Sequence, residues 1–161
     1  MKTLFLKTVL ASTILFTACA GSKESRSMKS TINGKWHLET MAIEGDNSIL
    51  NVKVFNEADN KCFIGSSWNF IGNNGKGSYS LMESSSGCAM VTRNIRWTIY
   101  EPEGEEKKFQ FKRLDENNNP LDENNGYRLT VSSLTDSSMR LVSPITYNNK
   151  QVNIIYNFLK K

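Results

Sequence analysis

A single antiparallel up-and-down β-barrel of about eight strands, all-β throughout, is the fold this sequence predicts, and three observations predict it. From Lys35 onward the apolar residues recur with a period of about two rather than about 3.6, the spacing of a half-buried strand. Clusters of Gly, Asn, Asp and Ser interrupt these runs roughly every dozen residues, as the turns of a meander, sandwich or barrel do. The runs follow one another through short connections, so consecutive strands should pair as neighbours, and closing the sheet removes its exposed edges.

The chain ahead of the barrel has a different character. Lys2 and Lys7, the apolar residues 9–16, then Thr17 and Ala18 follow the charged, apolar, small order of a secretory signal. The run is shorter than the ~20 apolar residues of a membrane-spanning helix. Residues 1–18 therefore read as a signal peptide. Residues 19–31, Cys19 followed by AGSKESRSMKST, are polar and unpatterned and read as a lipid-bearing cysteine with a flexible tether. Residues 32–161 form one domain, large enough for one closed core.

Within that domain GKWHLETMAI is the first strand, with Trp36, Leu38 and Ala42 on one face and His37 and Glu39 on the other. ILNVKVF is a second strand or an extended connection. SSWNFIG and GKGSYSLM, joined by NNG, form a hairpin, because Asn-Gly supplies the backbone such turns require. Trp68 and Phe70 share one face of it, as do Tyr79 and Leu81. NIRWTIY sets Ile95, Trp97 and Ile99 against Arg96, Thr98 and Tyr100, and KFQFKRL sets Phe109 and Phe111 against Gln110 and Lys112. YRLTVSSL, MRLVS and VNIIYNFL complete the set, and no run has helical amphipathicity. GNNGKGS, from Gly72 to Ser78, is a turn and not a phosphate loop, since the spacing is wrong and a strand follows it.

Several function classes are disfavoured. Removing Lys2 and Lys7 from the 20 basic residues leaves 18 against 16 acidic ones, and the basic residues are scattered along the sequence, so no nucleic-acid partner is expected. No cofactor motif, catalytic set or metal knuckle is present, and the one histidine, His37, lies opposite Trp36. Asp115, Asn117 and Asn119 have an oxygen-ligand spacing, but Pro120 stands where a calcium loop needs glycine, and an Asx-rich turn explains the segment. In an oxidising compartment Cys62 and Cys88 are expected to pair, two separate buried thiols being the alternative.

The run at residues 16–19 resembles the lipobox of bacterial lipoproteins, which implies acyl chains such as palmitate on Cys19. Gly34, Lys35 and Trp36 match the G-x-W signature of lipocalins. Together with NKCFIGSSWNF, CAMVTRNIRWTI and the ending IIYNF, these features make the chain similar to the lipocalin-like lipoproteins of Bacteroidetes. The resemblance implies a calycin-type barrel closed at its bottom by Gly34 and Trp36, with a late arginine, Arg140 or Arg128, across the tryptophan. It also implies that Cys62 and Cys88 tie neighbouring parts of the wall, and that the protein is held at the outer membrane.

The inward aromatics either fill the barrel or line a cup. If they line one, Trp68, Phe70, Trp97 and Phe111 would hold a small hydrophobic ligand, with Tyr79 or Tyr127 giving a polar contact. The function expected is thus a membrane-anchored carrier of a small hydrophobic ligand and not an enzyme. The alternative is a filled barrel that binds a protein partner through its loops at 101–107 and 115–126.

Overall fold

Eight of the alternating runs close on themselves. In a computed structural model that describes residues 21–45, 51–82, 87–147 and 149–161, the wall strands are β1 (Gly34–Glu44), β4 (Ser67–Ile71), β5 (Lys76–Leu81), β6 (Val91–Tyr100), β7 (Lys108–Leu114), β8 (Tyr127–Leu134), β9 (Ser138–Tyr147) and β10 (Lys150–Lys160). Every neighbour pair is antiparallel, and β1 joins β10 on one side and β4 on the other, so the sheet has no free edge. Between β1 and β4 the chain makes a miniature hairpin of β2 (Lys53–Val54) and β3 (Ala58–Asp59), followed by one turn of helix, α2 (Asn60–Phe63). The expected signal peptide, residues 1–18, and Cys19 lie outside the described residues.

The alternation drives closure because one face of each strand is apolar. Trp36, Leu38, Trp68, Phe70, Tyr79, Ile95, Trp97, Phe109, Phe111, Leu129, Met139 and Phe158 all turn inward into one continuous core. Ala42 departs from the expected phase. The ladder between β1 and β10 slips at Glu39, where one extra residue bulges out, and beyond it Met41 packs against the core while Ala42 is exposed. The segment ILNVKVF contributes only Lys53 and Val54 as strand, and β9 runs past the expected MRLVS through Pro144. Pro144 is tolerated because the last β8 partner on β9 is Val142, so no ladder bond to β8 is lost there.

The polar segment expected to be a tether is instead mostly a helix. α1 (Lys23–Ile32) starts at Ser22, whose Oγ accepts from Ser25 N, and carries Glu24 in its first turn and Lys29 in its last, as the helix dipole favours. It packs because Ile32 is fully buried and Met28 rests on the core. Its outer face is held by the β6–β7 loop: Glu101 accepts from Ser22 N and Oγ, and Lys107 pairs with Glu24 at 2.7 Å. α1 therefore seals the pole where β1 begins and β10 ends.

At that pole Trp36 is 1% exposed, and its Nε1 donates to the Ile32 carbonyl at 2.7 Å. The cation across its ring is neither arginine that the resemblance suggested. Lys160 Nζ lies 5.2 Å from the ring centroid and donates to the Thr31 carbonyl. Arg128 instead covers the outward Tyr100 at 4.2 Å and donates to Gln110, and Arg140 lies in register with Asn157 on the sheet. A lysine serves because β10 continues far enough to bring a long side chain beneath the indole.

Candidate functional site at the barrel mouth

The opposite pole is closed by the chain's own hairpin. Val54 and Glu57 bracket a four-residue turn, Glu57 N donating to the Val54 carbonyl, and both central residues, Phe55 and Asn56, have positive φ of 51° and 50°. Primed hairpin turns demand this of their central pair and usually fill it with Asn-Gly. Here a phenylalanine takes the first position, and its ring dips into the barrel. Phe55 stacks on Tyr156 at 5.5 Å and meets Phe63, Trp68, Phe111 and Tyr127 edge-on.

Next to Phe55, Glu57 enters a buried charge network. Its carboxylate accepts from Arg93 Nε at 2.7 Å and Nη2 at 3.0 Å, from Arg113 Nη1 at 2.6 Å and from Tyr79 Oη at 2.8 Å. Arg113 turns its remaining edge to Asp122, which also accepts from Tyr127 Oη. Burial alone would raise the Glu57 carboxyl, but the hydrogen bonds from Arg93 and Tyr79 and the nearby guanidinium charges hold it below the usual carboxylate range. The Arg113 hydrogen bond lowers Asp122 in the same way. Burial and Glu57 raise the Tyr79 phenol, and burial and Asp122 push Tyr127 up to about 12. Every phenol and carboxyl in the network thus holds one protonation state through the physiological range.

Beside the plug remains a cavity of about 310 Å³. Phe55 forms one wall and Tyr127, Leu129, Ile145, Ile154 and Tyr156 of β8, β9 and β10 form the other. It exists because β8 stops pairing with β9 beyond Thr130 and Val142, leaving the wall open toward the mouth. Polar groups at its margin are Ser143, whose Oγ lies 3.3 Å from Tyr156 Oη, together with Lys53, Asn56 and Arg128.

The six residues predicted to line a cup are brought together, chiefly against one another. Trp68 meets Phe70, Tyr79 and Phe111; Phe70 meets Trp97; and Phe111 meets Tyr127. Of the six, Tyr127 borders the cavity beside Phe55, while Tyr79 and Tyr127 direct their hydroxyls into the charge network. Phe55, Glu57, Arg93, Arg113 and Asp122 were not singled out in the sequence. For the two arginines the signal was present: the period of two puts Arg93 on the face of Ile95 and Trp97, and Arg113 on that of Phe109 and Phe111.

Cys62 and Cys88 are bonded, with Cα atoms 5.4 Å apart. The link joins α2 to the segment before β6, and so braces the plug and not two parts of the wall. Asp115 accepts from Asn117 N, Asn119 N and Asn119 Nδ2, the closed Asx turn its composition suggested. The basic residues are less scattered in space than in sequence. Lys76 faces Arg96 and Arg96 faces Lys112 across β5, β6 and β7, and Lys29 of α1 shares a surface groove with Arg96 and Lys112.

Solved barrels resemble this one. Lobster apocrustacyanin A1 superposes with a TM-score of 0.45 at 13% identity, over 86% of this chain and 65% of that one. Bovine odorant binding protein, in complex with a selenium-containing odorant, superposes with a TM-score of 0.39 at 10% identity, over 82% of this chain and 74% of that one. At such identity the likeness is one of fold alone. No protein-family model matches the chain, and no curated protein is significantly similar to it.

Proposed function

We propose that this protein is a lipocalin-like binding barrel that holds a small, largely apolar molecule at its mouth while acyl chains on Cys19 fix it to the outer membrane. The observation that carries the binding reading is the cavity of about 310 Å³ between Phe55 and the inward faces of β8, β9 and β10. That volume is at the low end of the ~300–1,000 Å³ of ligand pockets, so the molecule is small. Leu129, Ile145 and Ile154 offer it apolar surface, and Ser143 and Tyr156 offer hydroxyls at one margin. Anchoring is supported by the lipobox-like residues 16–19.

Native mass spectrometry of the protein mixed with a cellular lipid extract tests the binding. A retained small molecule is expected, and it should be lost when Leu129→Trp fills the cavity. An empty spectrum from both proteins would refute the carrier. Radiolabelled palmitate should mark the wild type and not Cys19→Ser.

A second reading, a module that binds a protein partner, is favoured by the ring-to-ring packing of Phe55, Trp68, Phe111 and Tyr127, which fills the barrel interior beneath the hairpin. Crosslinking in cells separates the two. One stoichiometric protein partner, with no small molecule retained, would support the module.

A further inference from the structure

Three adjacent wall strands aim their donors at one point inside the mouth. Tyr79 of β5, Arg93 of β6 and Arg113 of β7 converge on a single carboxylate whose side chain is 9% exposed. The Arg113 side chain is 7% exposed, and a buried guanidinium is costly to desolvate unless an anion meets it; Arg93, 32% exposed, reaches the same anion from the rim. Asp122 of the β7–β8 loop satisfies one edge of Arg113, whereas the only ion pair of Arg93 among the described residues is with Glu57. The wall is therefore built to receive a carboxylate.

The carboxylate it receives does not belong to the wall. Glu57 sits on the β2–β3 hairpin, which pairs with no barrel strand and turns through two non-glycine residues of positive φ. Two residues before Glu57, the same hairpin offers the Phe55 ring to Trp68, Phe111 and Tyr156. An apolar body and an acid group are thus presented together, on a short arm, to complementary surfaces of a rigid cup.

We propose that the β2–β3 hairpin is a tethered pseudo-ligand, and that the molecule it stands in for is a small carboxylic acid with an apolar body. The body takes the place of Phe55 and extends into the adjoining cavity, and the acid group takes the place of Glu57 on Arg93 and Tyr79. This assignment rests on the proposed binding of an apolar molecule at the mouth and adds its head group. Because the hairpin competes from within the same chain, at the high effective concentration of a short tether, it lowers the apparent affinity of any free acid.

The test uses the full chain with Cys19→Ser, which carries no acyl group of its own, and two probes, decanoate and methyl decanoate, titrated by calorimetry. Replacing Glu57 by glutamine removes the competing charge and keeps the side-chain shape. Decanoate should then bind tighter by at least about tenfold, the worth of one charge-assisted hydrogen bond, while the ester should be unchanged. Adding Tyr79→Phe should weaken the acid and spare the ester. In the chain that keeps Glu57, saturating decanoate should shift the NMR signals of Phe55 and Glu57, and the ester should leave Glu57 in place.

Equal affinity of Glu57→Gln for acid and ester would overturn the pseudo-ligand and leave the apolar mouth standing. Hairpin signals unmoved by saturating decanoate would overturn it too, whether or not Glu57→Gln folds. Failure of both probes to bind any of these chains would overturn both readings.

Discussion

Phe55 occupies a backbone conformation that suits glycine and holds it through burial. A left-handed φ costs a side-chain-bearing residue about 1–2 kcal/mol, against the ~3–5 kcal/mol at stake when a buried phenylalanine is truncated. Two substitutions separate these contributions. Phe55→Ala loses the ring and keeps the strain, so we expect a loss of ~3 kcal/mol or more in urea unfolding. Phe55→Gly loses the same ring and relieves the turn, and should be the more stable of the two by about 1 kcal/mol. The reverse order would show that the ring is not what holds the turn. Glu57 and Asp122 make a second residue-scale prediction. Their ordinary values are 4.5 and 3.8, and both are lowered in the fold. The stability they contribute is fully present above about pH 4.5 and disappears as pH falls through the lowered folded values. Urea midpoints should therefore be flat through neutrality and drop on acidification, with a smaller drop in Glu57→Gln.

Among the elements, the wall strands were legible because each carries its own alternation, and a period of two needs only a few residues to declare itself. What the sequence concealed were changes of phase. The bulge at Glu39 exchanges the faces of β1 without any glycine or proline to mark it, so Ala42 looked inward on paper. α1 was hidden for another reason: it covers the end of a barrel and reaches the core through only Met28 and Ile32, four residues apart. Two apolar positions in ten cannot be told from chance. The mouth site was half legible, its arginines from alternation and its plug not at all, because β2 and β3 are too short to show a period.

Two predictions belong to this scale. Like charges directly opposite on neighbouring strands repel, so Arg96→Thr, between Lys76 and Lys112, should raise stability by about 0.5 kcal/mol, read as a higher urea midpoint. The Cys62–Cys88 link closes a loop with a sequence separation of 26, worth about 3.5 kcal/mol on the chain-entropy estimate. Replacing both cysteines by serine should lower the unfolding free energy by up to that amount.

Taken whole, the molecule has two unlike poles. One is sealed by α1, Trp36 and Lys160; the other carries the hairpin, the buried charges and the cavity. Lys160→Met removes the cation over Trp36 and the donor to Thr31 while keeping the length of the side chain. It should loosen α1 by about 1 kcal/mol, seen as faster amide exchange in residues 23–32, while exchange in the hairpin at the far pole stays unchanged.

At the sealed pole Lys161 N also bonds to the Lys35 carbonyl, and α1 leads in immediately beside it. A reporter fused after Lys161 would therefore hang from the end that α1 covers, a barrel's length from the hairpin. If Cys19 bears the proposed acyl chains, the candidate mouth would be held away from the surface that they enter.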